Sequence, residues 1–309
     1  MSDERRPHFL NPTVRSHRPS RVIFFDTETT PNLQPNGETV HTLRLGSGVF
    51  TRTRRGEVLR PQSEIDFSTV EDWWDWVEEV AEKRQKTHLV SHNLGFDLPI
   101  VHAFSELPAR GWKLESWWVK GMTGIFRWRK DRAKIVGLDD TNFFQGTLAK
   151  WAPIVGLEKV QVDFQGTSEE ELWKRCHSDV EIMLRLWRLW LAFLDEVDAG
   201  DFKPTVSSTA FSTWRHRFMP RPLFIHADER ALVLEREAYK GGRVECLWTG
   251  EREDGPFHYL DVNSMYGYVM ARGLYPTGLI GSKTHIPLNR LERELSHHAM
   301  IARVRLQVD

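Results

Sequence analysis

Residues 22–25 are apolar without interruption and run into Asp26-Thr27-Glu28. A short apolar run closed by polar turn residues predicts a buried strand with acids at its end. Side chains two apart on a strand share a face, so Asp26 and Glu28 point at one place. Residues 1–20, polar, basic and broken by Pro7, Pro12 and Pro19, read as a disordered arm. Residues 42–53 alternate about Gly46-Ser47-Gly48 and predict a hairpin. Ser68-Thr69-Val70-Glu71 has the capping-box pattern and opens a helix to about Lys86, with Trp73, Trp74, Trp76, Val77 and Val80 on its apolar side. A short strand at 87–91 leads into helical spacing over 95–104. β-like runs at 113–119, 124–129 and 134–138 extend one mixed sheet, Asp140-Thr141 closes a strand, and 148–155 read as a short helix.

The longest periodic segment is 168–197. It opens on Ser168 followed by Glu169, Glu170 and Glu171, a strong helix start. Its apolar stripe of Leu172, Cys176, Val180, Met183, Trp187, Leu191 and Leu194 recurs at spacings of three and four. Asp179 falls inside that stripe. A carboxylate on the buried side of a helix is costly unless paired, protonated or on a cation. Arg175, one turn earlier, offers an ion pair, and a metal offers the other solution; the two do not exclude each other.

Composition narrows the class. A chain of 309 residues with 40% apolar and 28% charged content has ample material for a core. No run approaches membrane-spanning length, and the N-terminus lacks the apolar stretch of a signal peptide. A cytoplasmic protein is expected. Cys176 and Cys246 make neither a disulfide framework nor a zinc site. The net charge of −1 neither suggests nor excludes nucleic acid, whereas the basic clusters at 52–55 and 127–134 can follow a phosphate backbone.

Two carboxylates on one strand face repel unless a cation lies between them. Oxygen donors suit Mg²⁺ or Mn²⁺, and two such ions about 4 Å apart can activate water and stabilise the leaving oxygen of a phosphodiester. The segment HNLGFD at 92–97 adds Asp97 as a further acid, with Asn93 four residues earlier. On a helix these face one cleft, the amide toward substrate and the carboxylate toward a metal. Phe96 is a core residue or a platform on which a base stacks.

The order and contexts of Asp26, Glu28, Asp97 and Asp179 resemble the DEDD 3′–5′ exonuclease domain, and more narrowly the proofreading domain of family B DNA polymerases of the protein-primed, viral and mobile-element type. FDTETT resembles the first motif and HNLGFD the second. The third departs: where the family has a tyrosine four residues before the last aspartate, this chain has Arg175, and where histidine-type relatives have histidine, it has Lys174. His177, two before, points elsewhere on a helix. The resemblance implies a ribonuclease-H-like α/β domain with a mixed sheet at 21–200 that binds two Mg²⁺ or Mn²⁺ ions. It makes Thr141 a contact to single-stranded DNA, although Asn142 replaces the usual leucine, and Lys150 a helper of phosphate positioning.

The remaining chain resembles the same family. Residues 206–224 read as a helix in a connector spanning 201–242. Tyr239-Lys240-Gly241-Gly242 is similar to the YxGG motif, where paired glycines let backbone amides approach phosphate and Arg243 adds charge. FHYLDVNSMYGYVM offers a second apolar strand ending in Asp261 and resembles the first palm motif. Asp261 is thereby implied as a metal ligand, and Ser264 and Tyr266 as contacts of the incoming deoxynucleoside triphosphate, with Gly267 in place of proline. The expected organisation is a basic arm at 1–20, the exonuclease at 21–200, the connector, and the start of a palm at 243–309. Neither a second palm aspartate motif nor a fingers helix follows, so the sequence reads as the N-terminal portion of a longer polymerase or a truncated product. Implied partners are a single-stranded 3′ end, primer-template DNA and a terminal protein primer, in a bacterial, phage or mobile-element setting. Two alternatives stay open: a stand-alone DEDD nuclease of repair or RNA processing, and a catalytically weak DNA-binding remnant.

Overall fold

The computed structural model describes residues 6–54, 57–81, 85–121, 123–160, 168–242, 244–246, 248–253, 255–305 and 307. It divides into two compact units, 13–219 and 1–12 with 220–309. Strand β1 (His8–Leu10) belongs to the smaller unit. In the larger unit follow β2 (Arg21–Leu33), β3 (Thr39–Arg54), β4 (Glu57–Phe67), helix α1 (Val70–Val80), β5 (Lys86–Ser91), α2 (Leu94–Ile100), α3 (Ala103–Ala109), β6 (Lys113–Lys120), β7 (Thr123–Lys130) and β8 (Ala133–Asp139). A 3₁₀ turn (Asp140–Asn142), α4 (Leu148–Trp151), α5 (Glu169–Glu196) and α6 (Val206–Thr213) complete it.

The seven strands form one sheet in the order β4-β3-β2-β5-β8-β7-β6. β2, β3 and β4 are antiparallel to one another, whereas β5 runs parallel to β2 and β8 parallel to β5. This order and these directions make the domain a ribonuclease-H-like α/β fold. Alternation along β2 divides the core. Val22 and Phe24 face α5 with Trp187 and Leu191, while Ile23 and Phe25 face α1 with Trp73 and Trp74. Burying an indole removes about 150–250 Å² from water, worth roughly 4–6 kcal/mol before entropy is counted. Fully buried Trp73, Trp74, Trp128 and Trp187 therefore clamp the helices to both faces. Thr69 caps α1 by accepting from the Asp72 amide, one residue later than the sequence suggests, and Ser168 with Glu171 forms the capping box of α5.

Several sequence expectations are corrected. Gly46-Ser47-Gly48 is no turn: β3 is continuous and pairs with β2 and β4 through these residues. The glycines serve packing, because a Cβ on Gly46 would enter the Phe67 ring and one on Gly48 would lie 2.6 Å from Trp73. β2 extends to Leu33, so its acids lie within a strand rather than at its end. Helical spacing after residue 94 splits into α2 and α3, because His102 adopts φ 51°. The described part of the arm is tied down: Arg18 donates to the carbonyls of Leu194 (2.9 Å) and Gly200, and the His17 carbonyl accepts from the Phe202 amide at 2.9 Å.

The smaller unit pairs β1 with β9 (Leu223–Ile225) in antiparallel register and carries α7 (Glu229–Ala238), α8 (Met265–Arg272) and α9 (Leu288–Leu295). The expected helix over 206–224 is therefore shorter: α6 and a π turn (Trp214–Phe218) end before β9. The expected palm strand before Asp261 is absent among the described residues, where Tyr259 is 97% and Leu260 88% exposed. An isolated strand leaves its backbone groups unpaired, and no described neighbour supplies a ladder there. No described helix is long and apolar enough to cross a membrane.

Candidate functional site

The acids lie where β2 outruns its parallel neighbour. β5 pairs with β2 only from Val22 to Phe24, and beyond that point β2 is bonded on one side alone, with Asp26 opposite Ser47 and Glu28 opposite Leu45. The freed edge is filled by α2 and α5. Cys176 on α5 donates its thiol to the Asp26 carbonyl at 3.3 Å, which seats that helix on the strand.

Asp26 is half-buried and feels three other carboxylates. Its pKa is raised well above the ordinary value, by burial first and then by Asp97, Asp179 and Glu28, against the opposing charge of Lys159. Asp97, 2% exposed, accepts from Thr27 Oγ1 at 2.6 Å and from Ser91 Oγ at 2.9 Å. Burial nevertheless lifts its pKa to about 7, because the two hydroxyls offset only part of the desolvation. Glu28 is raised by burial and held back by Arg175, whose Nε lies 2.9 Å from Oε1. Asp179 is raised by burial and held back chiefly by Lys159, whose Nζ donates to Oδ2 at 2.6 Å. Its other oxygen, Oδ1, is buried without a hydrogen-bond partner among the described residues. Of the two solutions the sequence left open for Asp179, the ion pair is made with Lys159, while Arg175 pairs with Glu28 and acts on Asp179 from farther off. Among the described residues, no three His, Cys, Asp or Glu side chains are gathered tightly enough to hold a metal ion.

Around the acids, Asn93 is exposed with φ 73°, and its backbone amide donates to Asp139 Oδ1 at 3.2 Å. Phe96, 36% exposed, stands edge-on to His41 rather than in the core. Thr141 departs from expectation: it is 2% exposed, and both its amide and its hydroxyl donate to Asp139 Oδ1, at 2.9 and 2.7 Å. A hydroxyl committed to a buried carboxylate does not face solvent DNA. Asn142 has its own task, exchanging hydrogen bonds with the Gly124 backbone at 3.0 and 3.1 Å. Lys150 lies over the Trp151 ring, 5.2 Å from its centre, and is not among the charges that act on the acids. Lys174 pairs with Glu170 and His177 with Asp66, so neither stands in for the tyrosine.

Sequence reasoning missed Lys159, which carries no local signal and lies 20 residues from its partner. It also missed Thr27, although period-two alternation places it on the face opposite Asp26. Below the site, buried Asp140 accepts from Trp187 Nε1 (2.8 Å) and His92 Nδ1 (3.1 Å), while His92 Nε2 donates to the Gly146 carbonyl at 2.8 Å. With both ring nitrogens facing acceptors, burial alone would lower the His92 pKa, but Asp140 raises it.

In the smaller unit, Tyr239 (89% exposed) ends α7, and Gly241, Gly242, Asp261 and Ser264 are exposed. Gly242 lies against the Tyr266 hydroxyl so closely that a side chain there would collide with it. The two motifs therefore meet. Arg243 lies outside the described residues.

Residues 159–308 match the family described as DNA polymerase type B, organellar and viral. No curated protein matches the chain. Among solved structures, Phi29 DNA polymerase with primer-template DNA and incoming nucleotide is similar at 16% identity and a TM-score of 0.45, over 62% of this chain and 33% of that one. Its complex with single-stranded DNA gives 15% and 0.45, over 62% and 34%. The family B DNA polymerase of the hyperthermophilic archaeon Pyrobaculum calidifontis gives 16% and 0.40, over 63% and 27%. The chain spans about a third of the length of the Phi29 structures. The ribonuclease-H-like fold is defined by the order and direction of the strands themselves.

Proposed function

We propose that the chain is a type B DNA polymerase of the organellar and viral kind, the family that residues 159–308 match, and that residues 21–200 are a 3′–5′ proofreading exonuclease acting on single-stranded DNA ends. The observation that carries this reading is the convergence of charge on Asp26: carboxylates from one strand and two helices act on it together, at a cost that Lys159 offsets only in part. The orphaned, buried Oδ1 of Asp179 adds to it. Hard oxygen donors of this kind fit Mg²⁺ or Mn²⁺. Although no three of them are gathered tightly enough as they stand, Asp26, Glu28, Asp97 and Asp179 would draw together to hold the ions, which when bound supply Lewis acidity at the scissile phosphate.

The chain's own groups then orient the substrate. Lys159, with a side chain 20% exposed, presents positive charge at the mouth of the acid cluster, where a phosphodiester needs it, while Arg175 is engaged by Glu28. Phe96 offers a face to a terminal base, and Asn93 an exposed amide. Thr27 and Ser91 hold the Asp97 carboxylate in place. In the smaller unit, Tyr239, Gly241, Gly242 and Arg243 are assigned to primer-template DNA. Asp261, Ser264 and Tyr266 are assigned to the metals and deoxynucleoside triphosphate of a palm, in a polymerase primed by a terminal protein in a phage or bacterial cytoplasm.

The test is release of mononucleotides from 3′-labelled single-stranded DNA in Mg²⁺ or Mn²⁺. Weak activity lost in Asp26→Ala supports the assignment, and equal activity in the two proteins overturns it. A second reading, a DNA-binding remnant, is favoured by the Lys159 and Arg175 ion pairs that already neutralise part of the acid cluster. It predicts DNA binding with no metal-dependent release in the same assay.

A further inference from the structure

At the other end of the large sheet the strand registers align cations. Lys86 on β5 is opposite Lys134 on β8, Lys134 is opposite Arg129 on β7, and Arg129 is opposite Lys113 on β6. Directly paired residues project from the same face, so these side chains form one row across four strands, about 14 Å long at the usual strand spacing. All four are exposed. Arg127, two residues before Arg129 on β7, projects from the same face and is exposed as well. Lys203 joins the cluster, since Lys134, Lys203 and Arg127 all act on Lys86 in the same sense as the partial desolvation of its stem, with Asp201 opposing them.

Counter-charge is scarce. Glu115 pairs with Arg129 at 3.0 Å, and Asp201 is shared between Lys203 (3.3 Å) and His17 (3.0 Å). Among the described residues, no carboxylate forms an ion pair with Lys86, Lys113, Lys134 or Arg127. Like charges directly opposite on neighbouring strands are destabilising. The fold therefore maintains a repulsive row that an extended polyanion would relieve.

The aromatic residues identify which polyanion. β6 is the sheet edge, and Trp118, opposite Ile125, projects from the face that bears Arg127; it is 48% exposed. An indole diagonal to Arg127, about 13 Å along the strands from the row, can stack an unpaired base while the phosphates follow the charges. A duplex offers no free base to it. The surface also lies apart from the acids: Lys86 and Lys134 begin β5 and β8, whereas the acids gather beyond the far end of β5, about 20 Å away for a six-residue strand.

We propose that the row Lys86–Lys134–Arg129–Lys113, with Arg127 and Trp118, is a docking track for single-stranded nucleic acid, separate from the acid cluster. It stands on strand register and exposure and does not rest on the nuclease reading. The test is fluorescence anisotropy of a labelled oligothymidylate of about 12 nucleotides, titrated with the full chain in EDTA so that no hydrolysis intervenes. Lys86→Glu/Lys134→Glu should weaken binding at least tenfold and flatten the log affinity–log salt slope by about 1.4, that is, about 0.7 for each lost phosphate contact. Trp118→Ala should weaken it about fivefold or more, and indole fluorescence should be quenched on binding in the wild type but less so in the variant. The glutamate pair keeps like charges opposite each other at 86 and 134, so the repulsion is tested by Lys86→Gln/Lys134→Gln, whose melting temperature should be unchanged or raised; the same pair carries the binding test if the glutamate pair fails to fold. Unchanged affinity and slope in the charge variant would overturn the track. Tighter binding of a duplex, with no effect of Trp118→Ala, would overturn its assignment to single strands.

Discussion

Replacing Lys159 with methionine tests whether the acid cluster is held together by its cations. Lys159 Nζ donates to Asp179 Oδ2 at 2.6 Å, the Asp179 side chain is 4% exposed, and its Oδ1 has no hydrogen-bond partner among the described residues. Removing the ammonium leaves a buried carboxylate with Arg175 as a more distant counter-charge. Stranding a buried charge in this way costs about 3–5 kcal/mol. Protonation sets a ceiling, because the carboxyl escapes the penalty by taking up a proton at about 1.4 kcal/mol per pH unit between its pKa and the buffer. The expected loss is therefore about 2–4 kcal/mol at pH 8 and clearly less at pH 5. The sign follows from linkage. A carboxyl whose folded pKa is raised binds more protons folded than unfolded, so its contribution favours folding at low pH and is lost as pH rises. Lys159→Met should steepen that decline. Urea denaturation followed by tryptophan fluorescence, in EDTA at several pH values, measures it. Lys159→Met/Asp179→Leu should recover most of the loss, since an apolar pair replaces the ionic one. A cost below about 0.5 kcal/mol, or one independent of pH, would refute the reasoning.

His88 is 4% exposed and its pKa is depressed to about 3 by burial, helped by Lys86. The unfolded ring takes a proton that the folded ring refuses, so stability should fall as pH drops from about 6.5 toward 3, by at most about 4 kcal/mol, and His88→Leu should remove that part of the acid slope in denaturation curves. Arg175→Tyr restores the residue of the resembled family and frees Glu28 from its partner; mononucleotide release should rise about tenfold or more, and a fall would show that the arginine acts on substrate. Gly46→Ala should cost about 2 kcal/mol or more through collision with Phe67, with Gly46→Ala/Phe67→Leu largely restored in thermal melts.

Much of the site was legible because its signals are local. A run of apolar residues ending in acids makes β2, period-two alternation puts Asp26 and Glu28 on one face, and stripe spacing carries Asp179 to the buried side of α5. Each depends on residues within a turn or two along the chain. Composition and motif order placed the family likeness as well, without any contact being known. What the tertiary structure alone decided are meetings between distant segments. Gly46 and Gly48 read as a turn until Phe67 and Trp73 arrive over them and make glycine the residue that fits. Arg175 has an obvious helical partner in Asp179, yet Glu28 and Lys159 displace that pairing. Thr141 carries a hydroxyl suited to DNA, but burial beside Asp139 spends it inside. The row of cations exists only through the register of four strands. Periodicity encodes which face of an element turns inward; which charge, ring or hydroxyl waits there depends on chain closure over tens of residues, to which local pattern is blind.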